Sequence, residues 1–348
     1  MTKEKILVAL SGGVDSAVTV HLLREQGYEV YGYTFLTCGS EVDRATVAGD
    51  AKKVADFFGI PHEVEDIRFE FEKTVMGYFV RQYAAGLTPN PCVYCNQVMK
   101  FPKLLACADR LGIQKVATGH YVRVENGLIK KATNLRKDQS YVLCQLYRGD
   151  IPRFVFPLGE YSKPKIREIA RSIGLPVAEK GDSQEICFIP NDDYRAVMAQ
   201  YPWQFREGDF LDRDGNRLGT HKGLPFYTIG QRRGIGIAFG KPVYVTGLDY
   251  EKNAVYLGEE GELYHQGLKA SFVNYLAEGY GQEEFRAEVK IRYLSNPVPA
   301  LVRPVGNAQA EVIFDEPQKS ITPGQYAVFY DGDVLLGGGS IERPFDKM

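Results

Sequence analysis

Three cysteines lie in segments whose other residues favour thiol chemistry. Cys92 and Cys95 form a C-x-x-C pair in TPNPCVYCNQ, where two prolines stiffen the backbone and an adjacent helix start lowers a thiol pKa. Cys187 lies in DSQEICFIP, between an acidic turn and an apolar segment. Three cysteine ligands could hold a [4Fe-4S] cluster with one iron open, whereas two distant cysteines could carry out persulfide and disulfide chemistry. Without a second C-x-x-C or a His pair, a four-ligand structural zinc site is not expected, and the other two alternatives stay open.

The segment SGGVDS, residues 11–16, ends a strand-like run and leads at once into a helical pattern. Such a turn leaves backbone N–H groups without partners at the positive end of the helix dipole, and glycines let a ligand approach that backbone closely. The simpler alternative is an ordinary turn in which Ser11 or Asp15 caps the helix. Glycines and hydroxyls together, without the Gly-Lys-Ser/Thr of a Walker loop, favour an anion site.

The elements that must position these residues alternate between strand and helix over the first 120 residues. Strands are predicted at 6–10, 29–36, 62–66 and 115–118, helices at 43–58 and 69–85, and a loop at 86–95. This alternation predicts an α/β fold with a doubly wound parallel sheet, which binds ligands at the carboxyl ends of its strands. Cys107 and Cys144 fall in apolar helical patterns and are predicted to be buried, while Cys38 follows a strand and has no predicted role.

The pattern changes after about residue 202, where glycine-rich turns separate short strand-like segments. From about residue 268 alternating runs such as FRAEVKIRY predict a small antiparallel β-barrel. A chain of 348 residues is expected to form two or three domains. The predicted domains are residues 1–200, 201–267 and 268–348.

Composition and charge narrow the functional classes. Hydrophobic residues make up 44% and charged residues 25%, as in globular proteins, and no apolar stretch approaches the length of a membrane span. We therefore expect a cytoplasmic protein with reduced cysteines and no membrane partner. The net charge of −2 argues against a broadly basic nucleic-acid binder, yet residues 121–175 hold eleven Lys/Arg against five Asp/Glu. That basic stretch either guides a polyanion or forms a solvated face.

In this context SGGVDS resembles the pyrophosphate loop of the PP-loop ATP pyrophosphatases, which cleave ATP between the α and β phosphates. Six segments also occur in the order found in the bacterial tRNA-specific 2-thiouridylase (MnmA) family and together span about two thirds of the chain, and the barrel-like tail, with VKIRY and ITPGQYAVFY, also resembles that family. These segments are SGGVDS, TPNPCVYCN, ATGHY, KDQSYVL, GDSQEICFIP and GLPFYTIGQRRGIGI.

The resemblance implies that sulfur replaces the C2 oxygen of the wobble uridine, position 34, in certain tRNAs. Transfer of AMP from ATP to that oxygen turns it into a leaving group, with Mg²⁺ screening the phosphates. The three predicted domains would then be a PP-loop catalytic domain, a tRNA-contacting central domain and the barrel. The implied nucleotide site consists of Ala9, Leu10, Ser11, Gly12, Gly13, Val14, Asp15, Ser16, Phe35 and Gly119.

The resemblance also assigns roles to the cysteines. Cys187 matches the residue that accepts sulfur as a persulfide, and Cys95 matches its catalytic partner, which attacks Cys187 to release the sulfur and leaves a disulfide. Many relatives carry aspartate as general acid or base where this chain has Cys92, and a thiol does not simply replace a carboxylate. Cys92 is therefore either a bystander or, with Cys95 and Cys187, a ligand of a [4Fe-4S] cluster; the cluster is the expectation here.

A sulfur-carrier protein or a cysteine desulfurase relay is implied as the upstream partner, and tRNA as the substrate. The residues expected to contact tRNA are Asn90, Pro91, Lys137, Asp138, Gln139, Arg232, Arg233, Arg292 and Tyr293. Two alternatives explain SGGVDS alone: a PP-loop enzyme acting on a small metabolite, and a non-catalytic nucleotide or cluster sensor. The small-metabolite enzyme leaves the cysteine segments and the basic stretch without a role, and a Cys187→Ser variant would discriminate among the three functions.

Overall fold

The structure is a computed structural model that describes residues 3–181, 186–189, 193–201, 205–237 and 242–346. The chain divides into two compact units. The first unit comprises residues 1–75, 92–188 and 333–335, and the second comprises 76–91, 189–332 and 336–348. In the described part of the chain, no helix combines the length and the apolar character needed to cross a membrane.

A five-stranded parallel sheet forms the centre of the first unit, in the order β3-β2-β1-β4-β7. Ile6, Leu7 and Val8 of the middle strand are completely buried, because helices cover both faces of the sheet. The predicted α/β fold with a parallel sheet is confirmed. The strands are β1 (Lys5–Ala9), β2 (Glu29–Leu36), β3 (His62–Asp66), β4 (Lys115–Ala117) and β7 (Phe154–Val155), with a hairpin of β5 (Val122–Glu125) and β6 (Leu128–Lys131).

Local signals explain where the helices of the first unit begin and end. Ser40 and Asp43 form a capping box at the start of α2, and Gly59 ends that helix in the left-handed conformation. The predicted loop at 86–95 becomes helical at Pro91, a residue well suited to a first helical turn. The helices are α1 (Val14–Glu25), α2 (Glu41–Phe58), α3 (Arg68–Phe71), α5 (Pro91–Cys95), α6 (Phe101–Arg110) and α7 (Lys163–Ser172); α4 (Gly77–Ala84) and α8 (Tyr194–Met198) belong to the second unit.

The second unit contains a four-stranded sheet, in the order β10-β11-β8-β9, around a small core that includes Phe210, Val245 and Val255. Its other part is an antiparallel barrel in the order β12-β15-β14-β13-β16-β17, which closes where β12 pairs with β17. The predicted C-terminal barrel is confirmed, while the boundaries at residues 200 and 267 stay predictions. The strands are β8 (Gly208–Leu211), β9 (Arg217–His221), β10 (Tyr244–Asp249), β11 (Ala254–Gly258), β12 (Tyr264–Tyr275), β13 (Phe285–Lys290), β14 (Val298–Pro304), β15 (Ala310–Lys319), β16 (Tyr326–Asp331) and β17 (Val334–Phe345).

Candidate active site

The SGGVDS segment forms the turn between β1 and α1, as the sequence predicts. Gly13 is the N-cap residue of α1, and it gives the helix no side-chain cap. Ser11 is engaged with Ser16, since the two hydroxyl oxygens lie 3.1 Å apart and the Ser11 N–H donates to Ser16 Oγ at 3.2 Å. The Ser16 hydroxyl in turn lies 3.0 Å from the Gly13 carbonyl oxygen, to which it donates. Because Ser11 is held in this way, the turn differs from an ordinary serine-capped helix start.

Gly12 and Gly13 of the turn differ in backbone conformation and in the space around them. Gly12 has a φ of +67°, and a Cβ there would lie 2.9 Å from the Cβ of Asp50. Gly13 has an ordinary φ of −100°, and a Cβ there would meet only the Ser11 hydroxyl, at 3.3 Å. Gly12 is therefore needed to pack the turn against α2, whereas Gly13 leaves an open face over the helix start.

The remaining residues of the predicted nucleotide site lie around this turn. Gly119 follows β4, and a Cβ at this position would lie 3.2 Å from the backbone nitrogen of Ser16, so the residue packs directly on the first turn of α1. Phe35 lies near the carboxyl end of β2, half-buried against Tyr33. Ala9 ends β1, and Leu10, Val14 and Ser16 are buried. The structure therefore brings this set of predicted residues together at one edge of the sheet.

Sequence reasoning missed the partners of Asp15. Both carboxylate oxygens accept hydrogen bonds from Lys163 Nζ, at 2.7 and 2.8 Å, and the Tyr121 hydroxyl donates to the same carboxylate at 2.7 Å. Lys163 is the first residue of α7, and its side chain is only 12% exposed. In the sequence it belongs to the pattern SKPKIREIARSI, and the residues of that pattern do not reveal which lysine turns inward.

A second lysine, Lys180, binds the turn itself. Its Nζ donates to the Gly12 carbonyl oxygen at 3.1 Å and to the Asp50 carboxylate of α2 at 2.8 Å. Hydrogen bonds from Lys180 and then Lys53 lower the pKa of Asp50, which keeps the carboxylate charged. Lys180 therefore ties the turn to α2 and adds positive charge beside the predicted anion site.

Cys187 lies beside Cys38, a cysteine without a predicted role. Cys38, two residues beyond β2, donates from Sγ to the Cys187 carbonyl oxygen at 3.2 Å. The interaction with the Cys187 side chain, helped by the Thr37 hydroxyl and opposed by burial, lowers the pKa of Cys38 to about 7. Although Cys187 as a residue is exposed, the interaction with the Cys38 side chain and desolvation of the sulfur raise the pKa of its thiol.

Cys92 and Cys95 lie on α5 and are half-buried. Burial raises the pKa of both thiols, and the positive charge of Lys100 opposes that rise. Cys187 lies within electrostatic range of both, and Cys38 within range of Cys95. The four thiols therefore belong to one neighbourhood of the first unit.

Cys92, Cys95 and Cys187 are the predicted ligands of a [4Fe-4S] cluster. Among the residues that the structure describes, no three His, Cys, Asp or Glu side chains form a group that could hold a metal ion. Over its described residues, the structure therefore does not show a cluster site, and the [4Fe-4S] ligand set stays a prediction.

Family models match three consecutive parts of the chain, and relatives of known activity match nearly all of it. A family model described as the tRNA methyl transferase HUP domain matches residues 4–191, the PRC-barrel domain of the same group matches 197–259, and an aminomethyltransferase β-barrel domain matches 265–341. The tRNA-specific 2-thiouridylase MnmA of Heliobacterium modesticaldum is 46% identical over 99% of this chain and 94% of its own length. That of Carboxydothermus hydrogenoformans is 45% identical over 98% of each chain.

This chain belongs to the MnmA family. The predicted family resemblance is confirmed. Among solved structures, a 4-thiouridine synthetase in complex with RNA and ATP covers 58% of this chain and 50% of its own, with 17% identity and a TM-score of 0.39, a likeness too weak to support a conclusion.

The residues that the MnmA pattern assigns to tRNA are divided between the two units. In the first unit, the Asp138 carboxylate is buried and accepts hydrogen bonds from the Ala132 and Ser140 N–H groups and from the Ser140 hydroxyl. The Gln139 side chain accepts from the Tyr121 N–H at 2.9 Å. These two side chains therefore shape the loop, while Lys137 beside them is half-exposed.

In the second unit, the exposed residues Arg232 and Arg233 differ from Arg292. The Arg292 guanidinium donates to the carbonyl oxygens of Ser320, at 2.8 Å, and Ile229, at 3.4 Å, and to the Thr322 hydroxyl at 2.5 Å. Arg292 therefore anchors the loop that carries the arginine pair. Tyr293 has Lys290 over its ring; of the remaining two predicted residues, Asn90 is half-buried and Pro91 buried.

Proposed function

We propose that this chain is an ATP-dependent tRNA-uridine 2-sulfurtransferase that thiolates the wobble uridine at position 34. The observation that carries the proposal is the placement, within one unit, of the open glycine turn and of the thiol of Cys187 beside three other thiols. Lys180 binds the turn and lies only seven residues before Cys187, a span of at most about 25 Å of extended chain. The near full-length match to MnmA enzymes supports this assignment.

In the first half-reaction, the turn between β1 and α1 binds the phosphates of ATP. Backbone N–H groups at the start of α1 and the nearby ammonium groups offset the charge of the departing pyrophosphate. AMP is transferred to the uridine C2 oxygen, which can then leave as the phosphate ester.

Mg²⁺ fits this turn as an ion held chiefly by phosphate and water. The turn offers the hydroxyls of Ser11 and Ser16 and one carboxylate, Asp15, which already pairs with Lys163. Mg²⁺ prefers such a mixed oxygen shell and dehydrates reluctantly. When bound, it neutralises part of the triphosphate charge.

In the second half-reaction, Cys187 carries the sulfur as a persulfide. The terminal sulfur attacks C2 and displaces AMP, and the thiolate of Cys95 then attacks Cys187 Sγ. The electron pair of the broken S–S bond stays on the sulfur now attached to C2, and a Cys95–Cys187 disulfide remains for an external reductant. Lys100 favours the thiolate at Cys95 against the opposing effect of burial.

The substrate and the sulfur source follow from the same assignment. Arg232 and Arg233 are the exposed cations that we assign to tRNA phosphates, with Arg292 positioning their loop and Tyr293, beside Lys290, as a further tRNA contact. A sulfur-carrier protein or cysteine desulfurase relay would load Cys187, and action on tRNA accords with the predicted cytoplasmic location. The small-metabolite and sensor alternatives are not favoured, because they leave the second unit unused.

The test is formation of 2-thiouridine in unmodified tRNA, measured by nucleoside mass spectrometry with ATP and a persulfide donor. Cys187→Ser is expected to lower the yield at least 1,000-fold, which corresponds to about 4 kcal/mol, while ATP binding persists. Cys107→Ser, a buried cysteine on α6, is the matched control and retains the product. Thiolation by the Cys187→Ser variant at the wild-type rate would refute the proposal.

A further inference from the structure

Cys38 is the thiol in direct contact with Cys187, and the proposed reaction does not use it. Its Sγ donates to the Cys187 carbonyl oxygen at 3.2 Å, and the Cys187 side chain has the largest effect on the pKa of the Cys38 thiol. Cys92 and Cys95 also act electrostatically on Cys187, but they raise the pKa of its thiol less than Cys38 does. The direct contact of Cys38 with Cys187 therefore marks it as a partner for this thiol.

The backbone around Cys38 holds the thiol in that place. Thr34 in β2 donates its hydroxyl to the Leu10 carbonyl oxygen at 2.8 Å, which ties the carboxyl end of β2 to the end of β1. Beyond Cys38, Gly39 turns the chain with a φ of +90°, and the Ser40–Asp43 capping box starts α2. Cys38 is thus fixed between a strand and a helix, at the sheet edge that carries the nucleotide turn.

The chemical setting suits thiol–disulfide exchange. The Thr37 hydroxyl lies 3.5 Å from Cys38 Sγ, to which it donates, an interaction that stabilises a thiolate. Cys187 is exposed and Cys38 is half-buried, so a bond between them stays within reach of external reductants. Exchange requires a nucleophilic thiol close to the sulfur it attacks, and the contact of Cys38 Sγ with the Cys187 backbone brings the two residues together.

We propose that Cys38 is a resolving thiol that discharges the Cys187 persulfide when no tRNA accepts its sulfur. The Cys38 thiolate attacks Cys187 Sγ, a Cys38–Cys187 disulfide forms, and the terminal sulfur leaves as hydrosulfide. The sulfane sulfur is reduced and the two thiols are oxidised, so the persulfide donor is the only oxidant needed. This inference rests on the proposed persulfide at Cys187 and adds a second outcome for it.

The experiment loads the full-length protein anaerobically with one equivalent of cysteine hydropersulfide, without tRNA or ATP. Samples are quenched with acid, alkylated and mapped by peptide mass spectrometry, and released sulfide is measured. The wild type is expected to yield a Cys38–Cys187 linked peptide and about one sulfide per chain. Cys38→Ser and Cys38→Ala are expected to keep the persulfide on Cys187 at least tenfold longer and to release correspondingly less sulfide.

The outcomes separate this inference from the proposed function. Cys107→Ser is the matched control and should behave as the wild type. Sulfide release at the wild-type rate by both Cys38 variants, or a wild-type linkage confined to Cys95 and Cys187, would overturn the role of Cys38. Failure of the wild type to thiolate tRNA, with the Cys38–Cys187 link still formed, would count against the proposed function alone.

Discussion

Asp15, in the glycine turn between β1 and α1, takes its role from the side chains around it. As part of SGGVDS it could cap α1, coordinate an ion or accept a proton. In the structure both carboxylate oxygens of Asp15 accept hydrogen bonds from Lys163 Nζ, and the Tyr121 hydroxyl is a further donor. Because the lysine side chain is 12% exposed, this ion pair is screened less than a surface pair. Asp15 is therefore a charged link between α1 and α7.

Lys163→Met is expected to weaken the nucleotide site by removing that link. An uncompensated, partly buried carboxylate beside the phosphates costs roughly 1.5–3 kcal/mol, so kcat/KM for ATP should fall by about tenfold or more. Pyrophosphate release with saturating tRNA is the measurement.

Lys165→Met is the control for Lys163, because it lies on the same helix, is 51% exposed and pairs with Glu168 at the surface. Equal losses of ATP kcat/KM in the two variants would contradict the role assigned to the Asp15–Lys163 pair.

At the scale of elements, the glycine turn is held by α2 as well as by its own strand and helix. A Cβ added at Gly12 would lie 2.9 Å from the Asp50 Cβ, so the turn packs tightly on α2. Lys180 also bridges the Gly12 carbonyl oxygen to the Asp50 carboxylate. The turn therefore keeps its shape through contacts with α2, a helix that is separate from α1 in the sequence but adjacent to it in space. The position of the turn therefore depends on the Lys180 side chain, which links Gly12 to Asp50.

Lys180→Met should raise the KM for ATP by about fivefold, since a partly exposed charged hydrogen bond contributes roughly 1 kcal/mol. The control is Lys53→Met, because Lys53 pairs with the same carboxylate at 2.8 Å but has no bond to the turn. An unchanged KM in Lys180→Met, or an equal rise in both variants, would argue against the bridge.

At the scale of the whole molecule, the stability of the first unit should depend on pH through buried histidine. His120 is buried beside Phe101, and its Nδ1 forms a hydrogen bond of 2.7 Å with the Thr118 hydroxyl. Desolvation, followed by the positive charge of Lys100, lowers the pKa of His120 well below its usual value. A folded state that keeps imidazole neutral binds fewer protons than the unfolded chain once the pH falls below about 6.5. Stability is therefore full above that pH and declines below it.

For one proton the decline approaches about 1.4 kcal/mol per pH unit between roughly pH 6 and 5. His120→Gln should remove this part of the slope, leaving the share of His62, whose pKa burial also lowers. Hydrogen exchange of β1 and β4 amides between pH 7.5 and 5 reports on the first unit separately from the second. The same slope in the variant and the wild type would exclude His120 as its source.

The sequence by itself determined those features of this protein that depend on short, continuous segments of the chain. Alternating strand and helix patterns predicted the parallel sheet, SGGVDS predicted the turn before α1, and the order of six motifs predicted the MnmA family. These signals are local because backbone preferences, glycine conformations and the burial period of a strand are set by neighbouring residues.

Only the tertiary structure decided which distant side chains complete the site. Lys163 reaches Asp15 across 148 positions, Lys180 reaches Gly12 across 168, and Cys38 meets Cys187 across 149. Each of these partners has an unremarkable local pattern, since a lysine on a basic helix and a cysteine after a strand are common. The sheet brings them together at the carboxyl ends of its strands, and that meeting turns ordinary residues into parts of one site.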